Sequence, residues 1–395
     1  MMRTRNLPRA ILITCILLLM SALAFAQTQP LPQRFADQII RQWPDGRFVS
    51  AAQRWQWNYE LGTLLEGIDT VWTRTNDPMY FRYIQVSLDQ FVTPDGSILH
   101  WKPEENQLDS ILLGRQLLLL YRVTHEQRYR KAASALYQRL QHQPRTPSGG
   151  FWHKQQYPNQ MWLDGLYMAE PFYAEYASTF HQPDAFRDIA HQFDLIDQHA
   201  RDPRTGLLYH GWDESKQERW ANKETGLSSQ FWARAMGWYM MALVDALDYL
   251  PQNSAEHARL VAQLQRTAVA VVRYQDKQSG LWYQVMDKPN AAGNFPESSA
   301  SCMFVYALAK GVHKRYLPRH YVKNADRGYK GILKHFVHVA PNGDIALDGT
   351  VKSAGLGGNP YRDGSYNYYI HERVVSNDPK GIGAFLLASS EMQVN

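Results

Sequence analysis

Cysteine is all but missing from this chain of 395 residues, which has only Cys15 and Cys302. Cys15 lies in a leading segment that reads as removable, so Cys302 is left alone and an intramolecular disulfide is excluded. A dominant charge is missing as well, with 42 Lys and Arg against 37 Asp and Glu. Arg3, Arg5 and Arg9 precede the apolar run AILITCILLLM, and Ala24-Phe25-Ala26 follows it, the layout of a secretory signal over residues 1–26. Its removal takes three positive charges from the formal +5 and leaves +2, no footprint for nucleic acid. The apolar run is too short to span a bilayer. Thr14 precedes Cys15 where a lipoprotein signal needs a small residue, so the expectation is an exported protein, periplasmic or secreted, with no membrane attachment after cleavage near Ala26. No Pro, Gly or Ser linker, charge block or low-complexity segment divides the remainder, which predicts one domain over 27–395.

What the chain does have is a weak internal repeat. Six segments combine small residues with Leu, Met and aromatics: YELGTLLEGIDTVW from Tyr59, LDSILLGRQLLLLY from Leu108, MWLDGLYMAEPFYAEYA from Met161, FWARAMGWYMMALVDALDYL from Phe231, ESSASCMFVYALAKGV from Glu297 and KGIGAFLLASSEM from Lys380. Each is apolar nearly all round, the mark of a buried helix. Between them, stretches such as PMYFRYIQVSLDQFV and AEHARLVAQLQRTAVAVVRYQ carry apolar residues at three- and four-residue spacing with charges opposite. Inner and outer helices alternating six times predict an all-α fold, an (α/α)6 barrel; the competing expectation is an irregular helical domain.

In such a ring the inner helices run one way, so their N-termini gather at one mouth. Asn58, Tyr59, Asp109, Trp162, Asp164, Trp232, Arg234, Glu297 and Ser298 stand at those starts, and FWHK, LLYHGWDES and DGSYNYYIHE feed them. Carboxylates, indoles, imidazoles and an arginine facing one cavity form a carbohydrate-processing set: indoles cover sugar faces, a carboxyl moves protons, a guanidinium clamps an anion. Every member also has a plain structural explanation. Asp164 and Asp109 suit a first helical turn, the tryptophans suit a core, His210 suits loop ordering, and Arg234 suits a buried ion pair, although FWARAMGW offers it no partner at i±3 or i±4.

The MWLDG block, HGWDES, the FWARAMGWYMMALVDALDYLP block and the terminal GLGGNPYRDGSYNYYIHERVVSNDPKGIGAFLLA together resemble glycoside hydrolase family 105, the unsaturated rhamnogalacturonyl hydrolases, related to the unsaturated glucuronyl hydrolases of family 88. The resemblance runs from WQWNYE to the C-terminus. It implies the (α/α)6 barrel, no metal and no organic cofactor. It also implies a lyase-made oligosaccharide substrate with a 4,5-unsaturated uronate at its non-reducing end. By the matched motifs it implies Asp164 as proton donor and water activator and Asp109 as a second acid. Tyr59, His153, Trp162, His210, Trp232, Arg234 and Trp238 follow as substrate-contacting positions.

The chemistry so implied is hydration of a vinyl ether. Protonation of C4 makes C5 oxocarbenium-like, water adds at C5, and the hemiketal opens so that the glycosidic bond collapses. A helix start favours ionised Asp164, whereas Met161, Trp162, Leu163 and an ionised Asp109 would keep it protonated. The sequence leaves open which of the two tendencies wins, and so which of Asp109 and Asp164 holds the proton at rest. Three other functions stay open: an unsaturated glucuronyl hydrolase for another lyase-cleaved polysaccharide, an inverting glycosidase with carboxyls roughly 6.5–9.5 Å apart, and a non-catalytic exported glycan-binding protein.

Overall fold

In the computed structural model, residues 29–49 and 55–394 are described; the expected signal, 1–26, lies outside them. The chain enters with α1 (Leu31–Gln42) and then runs in helix pairs. These are α2 (Tyr59–Thr75) with α3 (Pro78–Asp89), α4 (Gly114–Thr124) with α5 (Gln127–Gln141), and α6 (Leu163–Thr179) with α7 (Ala185–Ala200). Next come α8 (Ala233–Ala246) with α9 (Ala255–Arg273), α10 (Ser298–His313) with α11 (Val322–His335), the short α12 (Tyr366–Ile370), and α13 (Pro379–Glu391).

Helices α2, α4, α6, α8, α10 and α13 pack side by side in that order, and α13 closes onto α2, so the inner ring is complete. Helix α1 packs outside α13 and supplies the sixth outer member. The fold is the all-α (α/α)6 toroid, and each of the six apolar segments read from the sequence supplies one helix of its inner ring. Physical cause and placement agree: every residue of α13 and every residue of α8 is buried, as expected of helices without a wet face. By contrast α7 and α9 bury one stripe each.

Small residues let the ring close. A methyl group on Gly383 would sit 2.1 Å from the Thr63 carbonyl, and one on Gly67 would meet Leu386 at 2.9 Å. These two glycines set the approach of α2 and α13.

The barrel interior beneath the helix starts is filled by charge. Arg115 reaches Glu66 at 2.7 Å, Asp245 at 3.0 Å and Glu175 at 3.6 Å, while Lys310 holds Asp245 at 2.7 Å and Asp248 at 2.8 Å. Burial pushes Glu66 up to about 8 and Asp69 up to about 6, although Arg115 pulls both down. Among the described residues no helix is long and apolar enough to cross a membrane.

Candidate active site

Helix starts differ in how their free N–H groups are met. Asn58 caps α2 by accepting from Leu61 N, and Glu297 caps α10 by accepting from Ala300 N. Trp162, at the cap of α6, offers no such oxygen, so the first-turn amides of α6 are left to the carboxylate of Asp164. Just before this helix, β1 (Gln160–Trp162) pairs antiparallel with β2 (Gly211–Asp213), with Trp162 opposite Gly211. The pairing continues as Leu163 N donates to the His210 carbonyl. This strand pair, joined through the α6–α7 helices, carries His210 to Asp164 across the sequence. A methyl group on Gly211 would lie 3.0 Å from the Trp162 ring, so glycine admits the indole. The rest of HGWDES is structural: Trp212 stacks on His199 at 4.0 Å, and Asp213 binds the turn through Ser215 and the Glu218 amide.

His210 Nε2 stands 3.0 Å from Asp164 Oδ2. Its Nδ1 is 2.6 Å from the Tyr369 hydroxyl, and both His210 and Tyr369 are fully buried. Neither His210 Nε2 nor Asp164 Oδ2 has another protein hydrogen-bond partner among the described residues. That oxygen is available to a ligand. Burial alone would raise the Asp164 pKa, but the His210 ring beside it and the helix amides outweigh burial and hold the carboxyl below its ordinary value. Of the two opposing tendencies, the one toward the ionised carboxylate prevails. The apolar wall is present, yet the imidazole brought by the strand pair outweighs it.

Asp109 lies ahead of α4, in the 3-10 turn Leu108–Ser110, rather than on the helix itself. Lys154 Nζ is 2.5 Å from one of its oxygens and His153 Nε2 3.6 Å from the other. Burial lowers the His153 pKa to about 4 against the pull of Asp109, so the ring is neutral near pH 7. Gly165, next to Asp164, lets Leu108 and His153 approach: a methyl there would meet them at 3.0 and 3.1 Å. Trp162 stacks on both His153, at 4.5 Å, and Tyr157, at 4.7 Å, and its indole N–H donates to Gln160.

Trp232 faces His210 at 4.7 Å and stacks on Tyr369 at 5.8 Å. Arg234 lies 4.9 Å over the Trp232 ring and is almost wholly buried. The ion-pair partner that its own helix lacks comes from α10: Glu297 at 3.7 Å, with Ser299 and the Val351 carbonyl accepting from Nη1. Among the described residues only Nη1 of this guanidinium has hydrogen-bond partners, which leaves Nε and Nη2. Trp238 is buried between Tyr167, stacked at 4.9 Å, and Tyr59, edge-on at 6.4 Å. Tyr59 itself stays half-buried.

The helix starts thus bring His153, Trp162, Asp164, His210 and Trp232 into one run of contacts, with Asp109 held by His153 and Arg234 behind Trp232. Tyr59 and Trp238 form a second, deeper group. Sequence reading missed Tyr369 and Lys154. Lys154 follows His153 directly and was visible as FWHK, whereas Tyr369 is separated from His210 by 159 positions and only its aromatic-rich loop was a signal. Tyr369→Phe keeps the ring on Trp232 and removes the hydroxyl on His210. We expect kcat to fall roughly tenfold, about the worth of one buried hydrogen bond, with KM and melting temperature nearly unchanged.

Comparison with known proteins gives the same picture. Residues 32–395 match the profile described as Glycosyl Hydrolase Family 88. A solved family 105 glycoside hydrolase from Clostridium acetobutylicum superposes with a TM-score of 0.88 at 42% identity, over 93% of this chain and 100% of its own. The Agrobacterium fabrum protein Atu3128 is 40% identical over 230 residues, which is 57% of this chain and 97% of that protein. The unsaturated rhamnogalacturonyl hydrolase YesR of Bacillus subtilis is 27% identical over 258 residues, 64% of this chain and 70% of YesR. With the barrel and these likenesses together, the chain belongs to glycosyl hydrolase family 88 and is a glycosidase of the family 88 and 105 type.

Proposed function

We propose that this glycosidase removes a 4,5-unsaturated galacturonyl residue from the non-reducing end of lyase-generated rhamnogalacturonan oligosaccharides, by hydrating the C4=C5 bond. The observation that carries the reading is the Asp164–His210 contact at 3.0 Å, backed by Tyr369. Vinyl ether hydration needs one proton delivered to carbon and one taken from water at a neighbouring atom. One carboxyl that gives the first proton and takes the second supplies both steps, and His210 Nε2 lies 3.0 Å from it.

In the resting site Asp164 is held ionised. A substrate carboxylate entering beside it adds a second negative charge and expels water, and both effects raise its pKa. With its pKa so raised, Asp164 takes up a proton and delivers it to C4. Once C5 is oxocarbenium-like, the regenerated Asp164 carboxylate accepts a proton from the water that adds there. The free N–H groups of Arg234 suit the substrate carboxylate, and Trp162 and Trp232 suit the ring faces. Lys154 and neutral His153 keep Asp109 in place as the second acid. The leader-like residues 1–26 fit a reaction outside the cytoplasm.

The test is the ultraviolet absorbance of the conjugated C4=C5 carboxylate. Incubation with the unsaturated galacturonyl-rhamnose disaccharide is expected to abolish it and release free rhamnose. A signal that persists at saturating enzyme sinks the reading. Faster loss from unsaturated glucuronyl disaccharides would move the activity to that class.

A further inference from the structure

Between the first turns of α6, residues 151–153 and α7 lies a cavity of about 10 Å³, room for one water molecule. Its lining includes His153, Gly165, Glu170 and Gln192, and every residue that borders it is buried. Two of these side chains carry a polar atom with no protein partner among the described residues, His153 Nδ1 and Glu170 Oε2. Gly165 keeps the space open on the His153 side, since a methyl group there would lie 3.1 Å from Nδ1.

The polar groups nearest Glu170 are engaged with one another. Arg145 pairs with Asp188 at 2.6 Å, Tyr173 donates to Asp188, and Gln192 Nε2 donates to Asp188 and to the Gly149 carbonyl. Burial, with Asp188 adding to it, holds the Glu170 carboxyl far above its ordinary value against the pull of Arg145, so it keeps its proton. A buried O–H left without an acceptor is costly. His153, with its pKa lowered to about 4 by burial, has one ring hydrogen to place. Its Nε2 lies 3.6 Å from Asp109 Oδ1, where a hydrogen is attracted and a lone pair repelled, which makes Nδ1 an acceptor. A water in the cavity would accept from Glu170 and donate to His153 Nδ1. Its other hydrogen suits Gln192 Oε1, which accepts from Phe151 N and keeps a second lone pair. Three bonds are the usual number for a buried water.

We infer that Glu170 is a positioning residue: through one water bound in this cavity, its carboxyl holds His153 in the tautomer with hydrogen on Nε2 and so keeps a donor turned to Asp109. The hydrogen bond made at one ring nitrogen decides which form the other takes. Without the Glu170 donor the ring hydrogen can shift to Nδ1, and the Nε2 lone pair is then set against the Asp109 carboxylate. The consequence for turnover rests on the unsaturated uronyl hydrolase reading above; the tautomer does not.

The test is nitrogen NMR of protein labelled in its histidine rings, with the His153 signals assigned by their loss in His153→Gln. The wild type is expected to carry hydrogen on Nε2 and none on Nδ1. Glu170→Met keeps the length of the side chain without its donor. It is expected to move hydrogen to Nδ1 in a large share of molecules and to lower kcat on the unsaturated disaccharide roughly tenfold, about the effect of one buried hydrogen bond, at unchanged KM. Glu170→Gln, whose amide can still donate to the water, is expected to keep the Nε2–H form and most of the turnover. Melting temperatures check that both variants fold, and the wild-type tautomer is decisive by itself where one does not. A wild type with hydrogen on Nδ1 overturns the positioning role. So does a folded Glu170→Met protein that keeps either the Nε2–H form or the wild-type kcat, or a Glu170→Gln protein that loses as much as Glu170→Met. A wild type that consumes no unsaturated disaccharide overturns the hydrolase reading instead, and the tautomers alone then decide for Glu170.

Discussion

Asp164→Asn is expected to lower kcat by roughly 10³-fold, in the range that a positioned proton-transferring side chain contributes, while KM and melting temperature stay close to wild type. The amide fills the same space at the start of α6 and still faces the first-turn N–H groups. It cannot exchange a proton with His210 Nε2, 3.0 Å from the native carboxylate. Turnover is read as loss of the conjugated absorbance, and ligand retention by quenching of tryptophan fluorescence, since Trp162 and Trp232 border the site. A variant keeping more than about a tenth of wild-type turnover would remove Asp164 from the proton path. One that is inactive because it melts early would make the residue a structural acid.

Arg115→Leu is expected to destabilise the barrel by about 3–5 kcal/mol, the usual effect of removing one member of a buried charge cluster. Its guanidinium is the shared partner of Glu66, Glu175 and Asp245, and leucine leaves those acids facing one another. Urea unfolding measures the loss, and its pH dependence identifies the cause. Burial already raises Glu66 to about 8 and Asp69 to about 6. A carboxyl raised in the folded state binds its proton more tightly than in the unfolded chain, so its stabilisation is complete below the unfolded pKa and drains away as pH rises through the folded value. Without Arg115 those folded pKa values climb further. The variant is therefore expected to be most stable near the unfolded carboxyl pKa, about 4.3, and to weaken steadily toward pH 8. A deficit that is equal across this window would point to lost packing of the Arg115 stem instead.

Inner and outer helices were legible because the distinction is written in composition: a run such as AMGWYMMALVDA has no wet face, and AEHARLVAQLQRTAVAVVR has one. The convergence of helix starts followed from the ring alone. Asp109 was displaced from its expected place because α4 begins only at Gly114, and nothing local distinguishes a 3-10 turn from the helix that follows it. The protonation of Asp164 stayed open in the sequence for a different reason. Trp162 and Met161 could be seen beside it, but His210 arrives through a pair of three-residue strands, too short to leave a period in the sequence. The partners of Arg234 were out of reach in the same way, since Ser299 lies 65 positions on and only the packing of α8 against α10 joins them.

The closure of the ring at Gly67 and Gly383 bears on how the molecule is made. Helices α2 and α13 meet with Lys380 against Glu60, 320 positions apart, so during synthesis α2 waits with one flank uncovered until nearly all the barrel has left the ribosome. That flank carries Thr63, Leu64 and Gly67, small and apolar groups shaped for another helix. Contacts so far apart form slowly, and a nascent barrel lacking its last helix is an open arc with a sticky end. Joining two arcs end to end is the misassembly this topology invites, and the narrow glycine contact at the seam, which admits only a close-fitting helix, restricts which end can dock.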